Sequence, residues 1–205
     1  MPQSDVQRVF INAPFDKAYE PLFITLVGTL VFLRQEPHCV LEVAETGAGR
    51  LARILDLMGT CRLSIHDLSR MGRPVRFNMP FELGLACAIQ HGNPSTYDVF
   101  VMDAKPYRID RTLSDYKGRD PLLHSGTCDG MQTCLLDVFR TVTMLGDTHS
   151  VADDRRFRPH IDRGRALELI AGQTGDAPDV VPRRAPQVVG KGLKPVRVLG
   201  DEFEI

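Results

Sequence analysis

Residues 62–92 read RLSIHDLSRMGRPVRFNMPFELGLACAIQHG. The run from Arg62 to Leu68 alternates weakly between apolar and polar positions and ends among Asp67, Ser69 and Arg70, the pattern of a strand opening into a loop. A connection rich in Gly, Pro and Arg then feeds a helix from about Pro80 to Gln90. Phe81, Leu85 and Ile89 recur there at i, i+4 and i+8, while Gly84 and Ala88 allow close packing. Gly92, Asn93 and Pro94 stop it. One strand, one polar loop and one helix make the repeating unit of a parallel sheet.

The same unit recurs on both sides. Upstream, Val9, Phe10 and Ile11 form a short β-type run that ends at Asn12-Ala13-Pro14-Phe15-Asp16. Helical spacing follows through Tyr19, Leu22, Phe23, Leu26, Val27, Leu30 and Val31, with Pro21 in the first turn, where its missing N–H costs nothing. A second β-type run covers Cys39 to Val43. Leu51, Ile54, Leu55 and Met58 then mark one apolar helix face, with Arg50 and Arg53 off it. Downstream, Asp98 to Met102 forms the fourth run and a helix spans about Met131 to Leu145. Strand and helix alternate at least four times, which predicts an α/β domain with helices on both faces of a doubly wound parallel sheet.

This domain is expected over residues 1–150, followed by a helical segment at 151–172, with Arg165 to Ile170 its helical part. From Gly172 the composition shifts toward Pro and Gly. Residues 173–205 read as an extended arm or a disordered tail, with Val196 to Leu199 able to add an edge strand. The 205 residues are 43% hydrophobic and 25% charged, which excludes a disordered or fibrous chain. A formal net charge of -1 gives no basic excess for a nucleic-acid partner. The most apolar run, Leu22 to Leu33, is too short to cross a bilayer core of about 30 Å, and Met1 to Arg8 has no apolar leader segment. No membrane partner and no signal peptide are therefore expected. The five cysteines, Cys39, Cys61, Cys87, Cys128 and Cys134, lack zinc spacing and read as reduced thiols of a cytoplasmic protein.

In a doubly wound sheet, ligands bind beyond the carboxyl ends of the strands, where the strand order reverses. The loop Asn12 to Asp16 and the segment Asp67 to Glu82 would meet there. They bring Asn12, Asp67, Ser69, Arg70, Arg73, Arg76, Asn78 and Glu82 to one edge. With the helix starting at Pro80, Glu82 falls in its first turn. The helix dipole there keeps a carboxylate ionised, fit either to cap the helix or to stabilise an oxocarbenium-like centre. Arg70, Arg73 and Arg76 share one loop, either a solvated basic loop or a cradle for phosphate oxygens. His66, inside a strand, reads as a core histidine before it reads as a ligand. No phosphate-binding glycine motif, nucleophile elbow or metal-ligand pattern appears.

The runs Ser64 to Arg70 and Arg76 to Leu85 resemble a bacterial TIR-like family of nucleotide-associated proteins. Val9 to Asp16 and Leu113 to Asp120 are similar to the same family, so the resemblance covers roughly residues 7–145. More distantly, Glu82-Leu83-Gly84 followed by Ala86 resembles the helix start of nucleoside 2-deoxyribosyltransferases. Both resemblances imply a flavodoxin-like fold and cleavage or transfer at an N-glycosidic bond. NAD or a related nucleotide would be the substrate, with no separate cofactor and no metal. They further imply Glu82 as nucleophile or oxocarbenium stabiliser and Asp67 as orienter of a base or ribose hydroxyl. Phe10, Asn12 and Phe15 would line the pocket with Ser69 and Asn78, and Arg70 and Arg73 would contact phosphate. Self-association and a role in antiphage defence belong to the same implication. The loop after the first strand lacks the Ser and His residues common in signalling TIR domains, and the chain after 172 matches neither family. A nucleotide-sensing module without turnover and a protein-interaction adaptor are the non-enzymatic alternatives.

Overall fold

In the computed structural model, residues 6–42, 49–72, 75–116, 120–143 and 163–171 are described. Five parallel strands form one sheet: β1 (Arg8–Asn12), β2 (Glu36–Cys39), β3 (Leu63–Asp67), β4 (Asp98–Asp103) and β5 (Leu122–Leu123). Their order is β2-β1-β3-β4-β5, the flavodoxin-like arrangement, with the strand order reversing between β1 and β3. The helices are α1 (Glu20–Phe32), α2 (Arg50–Thr60), α3 (Asn78–Gly92), α4 (Arg108–Thr112), α5 (Cys128–Thr143) and α6 (Arg163–Ala171).

Strand alternation divides the apolar residues between two layers. Val9 and Ile11 of β1, Leu63 and Ile65 of β3 and Met102 of β4 pack with α1, α5 and Ala166 of α6. Phe10, Val99 and Val101 face the other way, onto Ile54 and Met58 of α2, Met79, Leu83 and Ala86 of α3 and Ile109 of α4. Helix α1 is buried along Thr25 to Leu30, because it lies on the sheet with α5 and α6 also against it. That enclosure accounts for the long apolar run read from the sequence. Among the described residues, no helix is long and apolar enough to cross a membrane.

The elements fall close to their expected places, with shifts at β2, α3 and α5, the last starting at Cys128 rather than about Met131, and with one strand, β5, that the sequence pattern does not predict. β2 occupies Glu36–Cys39 rather than Cys39 to Val43, and Val40–Glu42 form a 3₁₀ turn instead. Pro37 discourages a strand reading, yet β2 is an edge strand, where a missing N–H is tolerated. β5 has only two residues, too few to carry a period. Helix α3 begins at Asn78, two residues before Pro80. The buried face of α3 is Met79, Glu82, Leu83 and Ala86, whereas Phe81 of the expected stripe is exposed. The expected strand at Val196 to Leu199, the arm at 173–205 and Arg73 lie outside the described residues.

Candidate functional site

The carboxyl ends of β1, β3 and β4 deliver Asn12, His66, Asp67 and Asp103, all buried. His66 and Asp67 are consecutive on β3 and so point to opposite layers. On the α3 side, the Asn12 side-chain amide donates to the Met79 carbonyl at 2.8 Å and lies 3.0 Å from His66 Nδ1. An amide nitrogen only donates, so Nδ1 accepts and the ring proton resides on Nε2, 2.9 Å from Ser64 Oγ. Burial pushes the His66 pKa down to about 3, which keeps the ring neutral and this chain intact. Asn12 thereby ties β1 and β3 to the first turn of α3.

On the α1 side, Asp67 is fully buried and its carboxylate is engaged at both oxygens. Oδ2 accepts from the Tyr19 hydroxyl and lies 3.1 Å from His124 Nε2, while Oδ1 accepts the Ser69 N–H at 2.8 Å. His124 Nδ1 accepts the Gly126 N–H at 3.1 Å, and its buried Nε2 faces Asp67 without meeting hydrogen-bond geometry. Burial pushes Tyr19 well above the ordinary tyrosine range, reinforced by the Asp67 charge, so its hydroxyl remains a donor. One carboxylate thus joins the loops that follow β1, β3 and β5. The sequence shows Tyr19 only as a member of a helix-core stripe and gives His124 no pattern of its own.

Glu82 stands in the second turn of α3, not in the first as a start at Pro80 predicts. Backbone bonds from Met79 N to Arg76 O and from Phe81 N to Phe77 O carry the helix further back, and Pro80 is accommodated where its N–H would lack a partner anyway. Glu82 is only 5% exposed, and its Oε2 has no hydrogen-bond partner. Burial raises its pKa to about 7, against the opposing effects of the Asn78 side chain and the Arg50 charge. The dipole-held, fully ionised carboxylate expected from the sequence is therefore replaced by one poised between its two protonation states.

The remaining expected residues are placed as follows. Phe10 is fully buried beside His66, their ring centroids 6.3 Å apart. Phe15 is half-buried and packs edge-on against Phe23. Asn78 is exposed and bonds Glu82, and Ser69 is half-buried at the end of β3. Arg70 reaches Asp16 rather than Glu82 or Asp67. The cleft lined by Pro14, Phe15, Asp16, Glu20, Phe23, Leu41 and Leu167 has a volume of about 10 Å³, room for one water. Sequence reading missed Arg108. It binds Asp103 through Nε at 3.0 Å and through a terminal nitrogen, and it donates to the Ser69 and Leu68 carbonyls at 2.6 and 2.7 Å. The signal was available, since Asp103 ends β4 as Asp67 ends β3. No family model and no curated protein matches the chain.

Proposed function

We propose that the protein cleaves or transfers the N-glycosidic bond of NAD or a related nucleotide, with Glu82 at the anomeric carbon. The observation that carries this reading is the Glu82 carboxyl itself, buried, with one oxygen unpartnered and a pKa about 7. A desolvated carboxylate without a full set of donors costs stability, and such groups concentrate where chemistry uses them. Its place on the helix that follows the switch-point strand supports the reading, as does the resemblance of residues 76–85 to TIR-like and deoxyribosyltransferase sequences.

In the proposed reaction the C1′–N bond breaks and its electron pair leaves with the base. The positive charge left on the sugar is met by ionised Glu82, as an ion pair or through a covalent bond to C1′. Water then adds at C1′ and loses a proton, or a second base adds and transfer results. Asn12 would hold the first turn of α3, next to the turn that carries Glu82, and Asp67 would act at one remove by fixing the surrounding loops. A nucleotide ligand, self-association and a cytoplasmic setting belong to the same reading.

The test is release of nicotinamide from NAD by purified protein, with Glu82→Gln alongside and a deoxynucleoside plus free base as second substrate. Release by wild type, lost in the variant, supports the reading. The rate should rise with pH through about 7 as Glu82 ionises. Base exchange on the deoxynucleoside alone would make the protein a transferase. Silence on both substrates would leave a sensing module or an adaptor.

A further inference from the structure

Two guanidinium groups converge on one carboxylate oxygen beyond the carboxyl ends of β1 and β3, between the loops that follow them. Arg70 Nε and Arg76 Nη2 each lie 2.8 Å from Asp16 Oδ2. Both arginines come from the loop after β3, and Asp16 from the loop after β1. Each guanidinium carries five N–H donors in a planar fork, yet each makes only this one bond among the described residues. The three side chains stay accessible, at 45%, 25% and 25% for Arg70, Arg76 and Asp16. Asp16 is fastened in place by its other oxygen, which accepts the Ala18 and Tyr19 N–H groups at 3.0 and 3.2 Å.

We infer that Arg70 and Arg76 form a subsite for a phosphate or diphosphate group, and that Asp16 occupies it as a built-in competing anion. Three unit charges in this group leave a net positive charge of one, and two forks meeting at one oxygen reproduce the way arginines grip a phosphate oxygen. Partial burial alone would raise the Asp16 pKa, but the Arg70 bond, the Arg70 and Arg76 charges and the Ala18 N–H outweigh it and hold the carboxyl below its usual value. The competitor therefore stays charged at neutral pH, and an incoming phosphate has to displace it. The inference deepens the nucleotide reading by naming the residues that take the phosphate. It adds Arg76 to Arg70 in that contact, while Arg73 lies outside the described residues.

Binding of inorganic pyrophosphate, ADP and adenosine, measured by calorimetry on the full chain, tests it without reference to turnover. Asp16→Asn retains an Oδ1 that can accept the Ala18 and Tyr19 N–H groups while removing the charge. It should tighten pyrophosphate and ADP about tenfold, the scale for removing one opposing charge from a partly exposed site, and leave adenosine unchanged. Asp16→Ser, whose hydroxyl also caps such a turn, should do the same. Adding Arg70→Gln or Arg76→Gln to Asp16→Asn should abolish the gain. Unchanged affinity in both Asp16 variants, a gain that survives loss of either arginine, or no binding of pyrophosphate by any form overturns the inference. A tenfold gain in a protein that never cleaves NAD would sink the glycosidic reading and leave the subsite standing. Cleavage of NAD without the gain would do the reverse.

Discussion

Replacing Glu82 by Gln separates the electrostatics of the buried carboxyl from any chemistry it performs. The folded-state pKa stands at about 7 against an ordinary 4.5, raised chiefly by burial. Between those values the folded protein holds a proton that the unfolded chain has released, so stability contributed at this site falls as pH rises through the window. The penalty is absent below the unfolded value and complete above the folded one. A shift of this size amounts to about 3 kcal/mol. Glutamine has nearly the same shape and no charge to desolvate. The variant should therefore match wild type near pH 4 and exceed it by about 3 kcal/mol near pH 8, or about 6–12 °C in Tm for a chain of this length.

Urea unfolding of both proteins at several pH values measures the difference directly. His66 contributes a dependence of opposite sign. Its folded pKa of about 3 lies below the ordinary 6.5, so its contribution is whole above 6.5 and is lost as pH falls toward 3. That contribution is common to both proteins and cancels when they are compared. A difference between variant and wild type that stayed constant with pH, or grew toward acid, would refute the desolvated Glu82 described here. The same carboxyl would then have to be solvated or fully paired in solution.

Tyr19→Phe removes a hydroxyl donor from the buried Asp67 carboxylate and should cost about 1.5–3 kcal/mol in urea unfolding; a loss below about 0.5 kcal/mol would contradict the hub. Asn12→Ala leaves the Met79 carbonyl and His66 Nδ1 without their donor and should cost about 1–3 kcal/mol, with faster amide exchange in the first turns of α3 as its local signature. A Cβ added at Gly130 would stand 2.1 Å from the His124 carbonyl oxygen, so Gly130→Ala should destabilise by about 2–3 kcal/mol in thermal melts. Gly84→Ala meets nothing within 4 Å on an exposed helix face and should instead stabilise by about 0.5–1 kcal/mol.

The layer order was legible because strand runs and helix stripes change period at each loop, and three of the five strands carry enough residues to display that change. What escaped has local causes. Phe77 and Phe81 are as apolar as Met79 and Leu83, so composition alone does not decide which side of α3 meets the sheet. No side chain caps that helix, so Pro80 is the most visible mark of its start in the sequence. Asp67, Arg70 and Glu82 were conspicuous as polar residues between apolar runs. Their partners were not, because Tyr19 and His124 reach Asp67, and Asp16 reaches Arg70, only once β1, β3, β4 and β5 are assembled in one sheet. Pairing of that kind leaves no spacing in a single chain.

The division of β3 between two layers bears on which substrate suits the site. Asp67 belongs with Tyr19 and His124 on the α1 and α5 side, and Glu82 belongs to α3 on the other. Two-carboxylate glycosidases set one acid to protonate the leaving group and one base or nucleophile against the sugar. Here the second carboxylate is enclosed, with both oxygens committed to protein donors, so among the described residues Glu82 would act as the sole carboxylate at the reaction centre. A neutral nucleoside asks for a proton on its departing base, and Glu82 cannot donate a proton while stabilising a cation as an anion. The nicotinamide of NAD carries its positive charge already and departs neutral without any acid. A lone carboxyl poised near neutrality is sufficient for that leaving group, which argues for a cationic pyridinium nucleotide ahead of a deoxynucleoside as the substrate of the proposed reaction.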